Sequence, residues 1–126
     1  MIRVVDELVE DALRELADED AQTRLWNASE GPEVSSLVEC TSRLWDDSGL
    51  STAMDRDVVY SDSIDDHLRE LRTVLRGIDP LAPVDIVLTS PDLPRVRTLA
   101  RALLNELTRF GHERAATEGD ASPRVP

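Results

Sequence analysis

Apolar residues recur along this chain at intervals of three and four, the spacing that lines one face of a helix. The first such stripe, read from about Arg3 to Ala28, is Val5, Leu8, Val9, Ala12, Leu13, Leu16, Leu25 and Ala28, with Asp18-Glu19-Asp20 marking a kink or break. A second helix opens at Pro32, since proline suits the first helical position, and Ser29 stands upstream as a cap. Its apolar face holds Val34, Leu37, Val38, Thr41, Leu44 and Trp45, and Gly49 ends it. The third stripe, Ile64, Leu68, Leu71, Leu75 and Ile78, is the cleanest, with His67 and Val74 on its flank. Asp62 or Ser63 caps its start, Asp65 and Asp66 favour its positive end, and Gly77 with Pro80 closes it. The fourth begins at Ser90-Pro91-Asp92, carries Leu93, Val96, Ala100, Leu103, Leu107 and Phe110, and is expected to stop at Gly111.

Two stretches do not follow this rhythm. Val84-Asp85-Ile86-Val87-Leu88 reads as a short helix opened by Pro83, or as a strand that Val58-Val59-Tyr60 could pair with. Residues 112–126 have no period and read as a flexible tail. The pattern as a whole predicts an all-α domain over residues 1–111, with four main helices in a bundle-like arrangement.

Both tryptophans fall in one short signature that occurs twice. Thr23-Arg24-Leu25-Trp26-Asn27-Ala28-Ser29 is echoed by Ser42-Arg43-Leu44-Trp45-Asp46-Asp47-Ser48, each followed by a glycine. This reads as two helix ends built alike. In an antiparallel hairpin of the first two helices, Trp26 sits by the connection and Trp45 roughly 20 Å away at the far end. The two cannot then form one aromatic cage. Each either plugs an end of the core or, with its preceding arginine, anchors a protein partner.

Composition narrows the partners. The net charge is −12, from 26 acids against 14 basic residues that are all arginine. That balance disfavours nucleic acid and anionic membrane surfaces, both of which need clustered positive charge. Cys40 is the sole cysteine, which excludes an intramolecular disulfide and a cysteine zinc cluster. The chain opens Met1-Ile2-Arg3-Val4-Val5 and turns acidic at Asp6-Glu7, with no charged-then-apolar leader expected, and no stretch approaches the roughly 18 apolar residues of a spanning helix. A cytoplasmic location is the expectation.

Catalysis in a helical bundle requires acids or histidines that project inward. On helical wheels, Glu7, Asp11 and Asp18 lie opposite the first stripe, Glu39 and Asp46 opposite the second, and Asp62 and Asp66 away from the third. The acids therefore read as solvent-facing. His67 leans toward an apolar stripe, but its neighbours Asp65 and Asp66 point about 100° away and do not converge with it. No glycine-rich phosphate loop and no cofactor motif is present, so no catalytic, metal or cofactor residue is assigned and no small-molecule ligand is inferred.

Glu7-Leu8-Val9-Glu10, with Glu15-Leu16-Ala17-Asp18 or Asp62-Ser63-Ile64-Asp65, resembles the paired acidic tetrapeptides of the MazG-like nucleotide pyrophosphohydrolases. The resemblance covers those tetrapeptides alone, and it implies magnesium held by Glu7, Glu10, Asp62 and Asp65. Glu15 and Asp18 share the first helix and cannot form the opposing wall.

Arginines supply the remaining candidates. Arg69, Arg72 and Arg76 form a stripe on the third helix that could grip a carboxylate, or pair with neighbours such as Asp65 and Asp66. The expectation is a non-enzymatic protein working through protein contacts, as an adaptor or regulator, with a homodimer as one form open to it. Trp26, Trp45, Arg69, Arg72 and Arg76 are its candidate surface. An acidic antitoxin, immunity protein or nucleic-acid mimic acting on a basic target is the alternative that the charge suggests.

Overall fold

The computed structural model describes residues 4–27 and 35–121, with side chains to residue 111. Every regular element among them is helical: α1 (Asp6–Ala17), α2 (Glu19–Trp26), α3 (Leu37–Ser42), α4 (Leu50–Arg56), α5 (Asp62–Leu75), α6 (Val84–Leu88) and α7 (Leu93–Ala121). A π-helical turn, Arg43–Asp47, continues α3 without a break. The predicted helix start at Pro32, with Ser29 and Val34, lies outside the described residues.

The first predicted helix is two. Asp18 is extended and its carboxylate accepts from Ala21 N–H at 3.1 Å, which caps α2. The carbonyls left over at the end of α1 are taken up by side chains. Gln22 Nε2 donates to the Glu15 and Leu16 oxygens at 3.1 and 2.8 Å, and Arg101 Nε to that of Ala17 at 3.3 Å. Gln22 is fully buried, and Arg97 Nε satisfies its amide oxygen at 2.9 Å.

The second predicted helix also ends early. After the π turn, Gly49 adopts φ 82°, a left-handed conformation that glycine reaches without a side-chain clash. The chain then turns into α4, an element the periodicity did not reveal. Ser48, buried at the same corner, donates to the Leu44 carbonyl at 2.6 Å and accepts from Leu50 N–H at 3.1 Å.

α5 follows its predicted stripe closely, and Ile64, Leu68, Leu71, Leu75 and Ile78 are all buried. Its cap is Ser61, one residue before the expected pair, accepting from Ile64 N–H at 3.0 Å. The ambiguous stretch is the short helix α6. α7 buries Leu93, Val96, Ala100, Leu103 and Leu107 along one face, and both α1 and α5 pack against it. It does not stop at Gly111 but runs on to Ala121. A mid-helix glycine costs only about 1 kcal/mol and ends a helix when it turns left-handed, which Gly111 does not.

Candidate functional site

Two acids lie inside, contrary to the outward register expected for the charged faces. Glu15 is 8% exposed and joins four parts of the chain. Its Oε2 accepts from Trp26 Nε1–H and from Ser35 Oγ–H, each at 2.7 Å, and its Oε1 faces Arg43 Nη1 at 3.3 Å. Cys40 is buried beside this group and its thiol donates to the Ala12 carbonyl at 3.4 Å. Burial, reinforced by the Glu15 charge, pushes that thiol far above its ordinary ionisation range. A neutral, enclosed thiol is a poor nucleophile. Glu15 is seven residues from Leu8 and three from Ala12, so its place on the inner face was visible on the wheel. What the pattern did not show was the set of donors waiting there.

Asp65 is the second buried acid, at 1% exposure. Its two oxygens accept from Val59 N–H at 2.8 Å and Tyr60 N–H at 3.1 Å, which ties the α4–α5 connection down onto α5. Tyr60 in turn donates its hydroxyl to Asp6 at 2.8 Å and stands edge-on to Phe110, with ring centroids 5.7 Å apart. Burial, with Asp6 close by, raises the Tyr60 hydroxyl's pKa well above the ordinary tyrosine range. Asp65 is thus a structural clamp. Among the described residues, no three of His, Cys, Asp and Glu meet as a group able to hold a metal ion, so Glu7, Glu10, Asp62 and Asp65 do not assemble into one. His67 Nδ1 meets Glu106 Oε1 at 2.7 Å, a contact between α5 and α7.

The two tryptophan signatures have opposite fates. In the first, Trp26 turns inward, 4% exposed, while Leu25 is half-buried. In the second, Leu44 is fully buried and Trp45 lies half-buried at the surface. The signatures do not stand at opposite ends of a long hairpin. With α1 broken from α2 and α3 only six residues long, Glu15 joins Trp26 of one to Arg43 of the other. Trp26 therefore passes from the candidate surface to the core.

Trp45 faces α5, where the Arg72 guanidinium lies over its ring, 4.8 Å from the centroid. Arg72 also donates to Ser51 Oγ at 3.3 Å, and has no carboxylate partner among the described residues. These side chains form part of a groove of about 410 Å³ between the π turn and α5. Leu37, Trp45, Leu75, Ile78 and Pro80 give it apolar walls, and Arg72, Arg76 and Asp46 give it charge. Arg76 is exposed and makes no ion pair among the described residues. Arg69 lies outside the groove and is paired with Asp66 at 3.1 Å. A guanidinium held over an indole face keeps part of its donor fork free for a carboxylate. A wider, shallower depression at the α1–α2 corner differs in this respect. Its arginines are already engaged, Arg14 with Asp11 and Glu10 and Arg101 with the Ala17 carbonyl.

The fold is an all-α arrangement in which α1 and α5 pack on α7 and the π turn joins α1, α3 and α4. Against known proteins, the chain matches no family model, no curated protein and no solved structure. Among the described residues no helix is long and apolar enough to cross a membrane.

Proposed function

We propose that this protein works through protein contacts, and that the groove between the π turn and α5 is its contact surface. The observation that carries this reading is the Trp45–Arg72 pair: an aromatic face and a cation without a carboxylate partner, set together over apolar walls. Trp and Arg dominate binding energy at protein interfaces because they combine large apolar area with directed hydrogen bonds. The fitting partner is a protein segment that brings an apolar side chain together with a carboxylate. The apolar group fills the trough beside Trp45, and the acid pairs with Arg72 and Arg76. Trp45 itself lies in the π turn, which is consistent with this use, since such turns often occur at functional sites.

The test is capture from a lysate of the source organism by the immobilised chain and by its R72E/R76E variant. Arg76 is exposed, and Arg72 is half-buried with its contacts to Trp45 and Ser51 at the groove rim. The variant is therefore expected to stay folded with a modestly lowered melting temperature, which is checked alongside the capture. A protein held by the parent and released by the variant supports the groove. A protein held equally by both, with the variant folded, contradicts it.

A further inference from the structure

The geometry points to a second copy of this chain as the occupant of the groove, each copy inserting its own Leu81; the inference rests on the reading of the groove given above. Leu81 is 84% exposed, more than any other large apolar side chain among the described residues. A local turn holds it outward. Asp79 Oδ1 accepts from Leu81 N–H at 3.0 Å, and the Asp79 carbonyl from Ala82 N–H at 3.2 Å. The apolar knob and a carboxylate are therefore fixed two residues apart, which is the pairing that the groove calls for.

The knob and the groove also share one edge of the molecule. Ile78 and Pro80, the residues flanking Asp79 and leading to Leu81, line the groove itself. A two-fold dimer uses the same patch on both partners, so that residue i of one meets j of the other and the reverse. A projecting side chain next to a depression that fits it meets that requirement in a single surface. Charge agrees as well. The groove carries two arginines against one acid, Asp46, and so is net positive in a chain of net charge −12. Asp79 of the second copy, with one oxygen engaged in its turn and one left over, supplies the counter-charge to Arg72 or Arg76. Two such insertions make a small interface, in the class of weak and transient contacts. Dissociation on the order of 10–100 μM is the expectation.

Sedimentation equilibrium of the full chain, from about 1 to 500 μM, brackets that range. The expected result is a monomer–dimer equilibrium. Parent and variants are compared at one ionic strength, because salt screens the repulsion between two chains of net charge −12 as well as the groove's ion pairs. Leu81→Asp changes an exposed residue and leaves the fold intact by thermal melting. It should weaken the dimer about tenfold or more, as should R72E/R76E. A chain that stays monomeric throughout overturns the inference, as does a dimer that neither variant weakens. The two readings fail separately. A strict monomer whose captured partner is still lost in R72E/R76E leaves the groove standing as a contact surface for another protein. Insensitivity of both the dimer and the capture to R72E/R76E removes the groove as well.

Discussion

Glu15 concentrates the fold's polar interactions in one side chain. Truncating it leaves the Trp26 N–H and the Ser35 hydroxyl buried without an acceptor, and Arg43 facing no counter-charge. Breaking a buried ionic group from one side costs more than the pair contributes, because the remaining partners stay desolvated. Glu15→Ala is therefore expected to lose about 3 kcal/mol in denaturant unfolding. Glu15→Gln keeps an acceptor for Trp26 and Ser35 and should lose clearly less. Equal losses from the two would show that the acceptor oxygens contribute little. Tyr60 gives a second residue-scale test, since it is the one tyrosine of the chain. Burial and Asp6 hold its folded pKa above the ordinary value of 10.0, and burial likewise holds Cys40 above its ordinary 9.0. The folded state then keeps protons that the unfolded chain would release. The stabilisation from both groups is complete below about pH 9 and declines as pH rises from there. Phenolate absorbance should appear together with alkaline unfolding rather than ahead of it. A native-state transition at the free tyrosine value would contradict the buried position. Tyr60→Phe should flatten the alkaline loss of stability and leave the Cys40 share.

Among the elements, the corner from the π turn into α4 decides where Trp45 points. Gly49 is the one left-handed residue described, and a side chain there strains the backbone. Gly49→Ala is expected to cost about 1–2 kcal/mol, read from urea unfolding. Because the corner supports the π turn, near-ultraviolet circular dichroism of the Trp45 environment should change with it. An unstrained alanine with an unchanged spectrum would mean that the corner does not set the turn. This is also where the sequence stopped being legible. The long, regular stripes of α5 and α7 could be read because period and burial coincide there. Asp18 as a break was equally plain, since three consecutive acids interrupt an apolar stripe. The π turn follows from packing: it sends Leu44 into the core while Arg43 reaches α1 and Trp45 faces α5, a choice no local propensity encodes. The same limit applies to the two Leu-Trp copies. Their residues are alike, and which aromatic goes inward depends on Glu15, a partner eleven residues from one and thirty from the other. Gly111 misled for a different reason. A glycine marks a helix end only when the chain leaves the helix there, and the backbone decides that.

Across the whole molecule, charge separates the readings of function. A chain of net charge −12 that inhibits a basic target should bind more tightly as acids are added and arginines removed. A groove that grips a carboxylate with Arg72 and Arg76 should bind less tightly when those arginines are reversed. Of the arginines proposed for the surface from sequence, Arg72 and Arg76 line the groove with Trp45, while Arg69 is paired with Asp66 elsewhere on α5. Their separation came from the way α5 meets the π turn, which the arginine spacing alone could not show. Arg69 and Arg95, paired on the surface with Asp66 and Glu70, therefore make a matched control. Reversing them alters the net charge by the same amount as reversing Arg72 and Arg76, but leaves the groove untouched. The most direct measurement compares binding by R72E/R76E and R69E/R95E, in the capture and in sedimentation, at the same ionic strength. The account predicts that R72E/R76E loses association while R69E/R95E stays close to the parent. Equal effects from the two, or tighter binding by both, would place the function in the overall charge and contradict the groove.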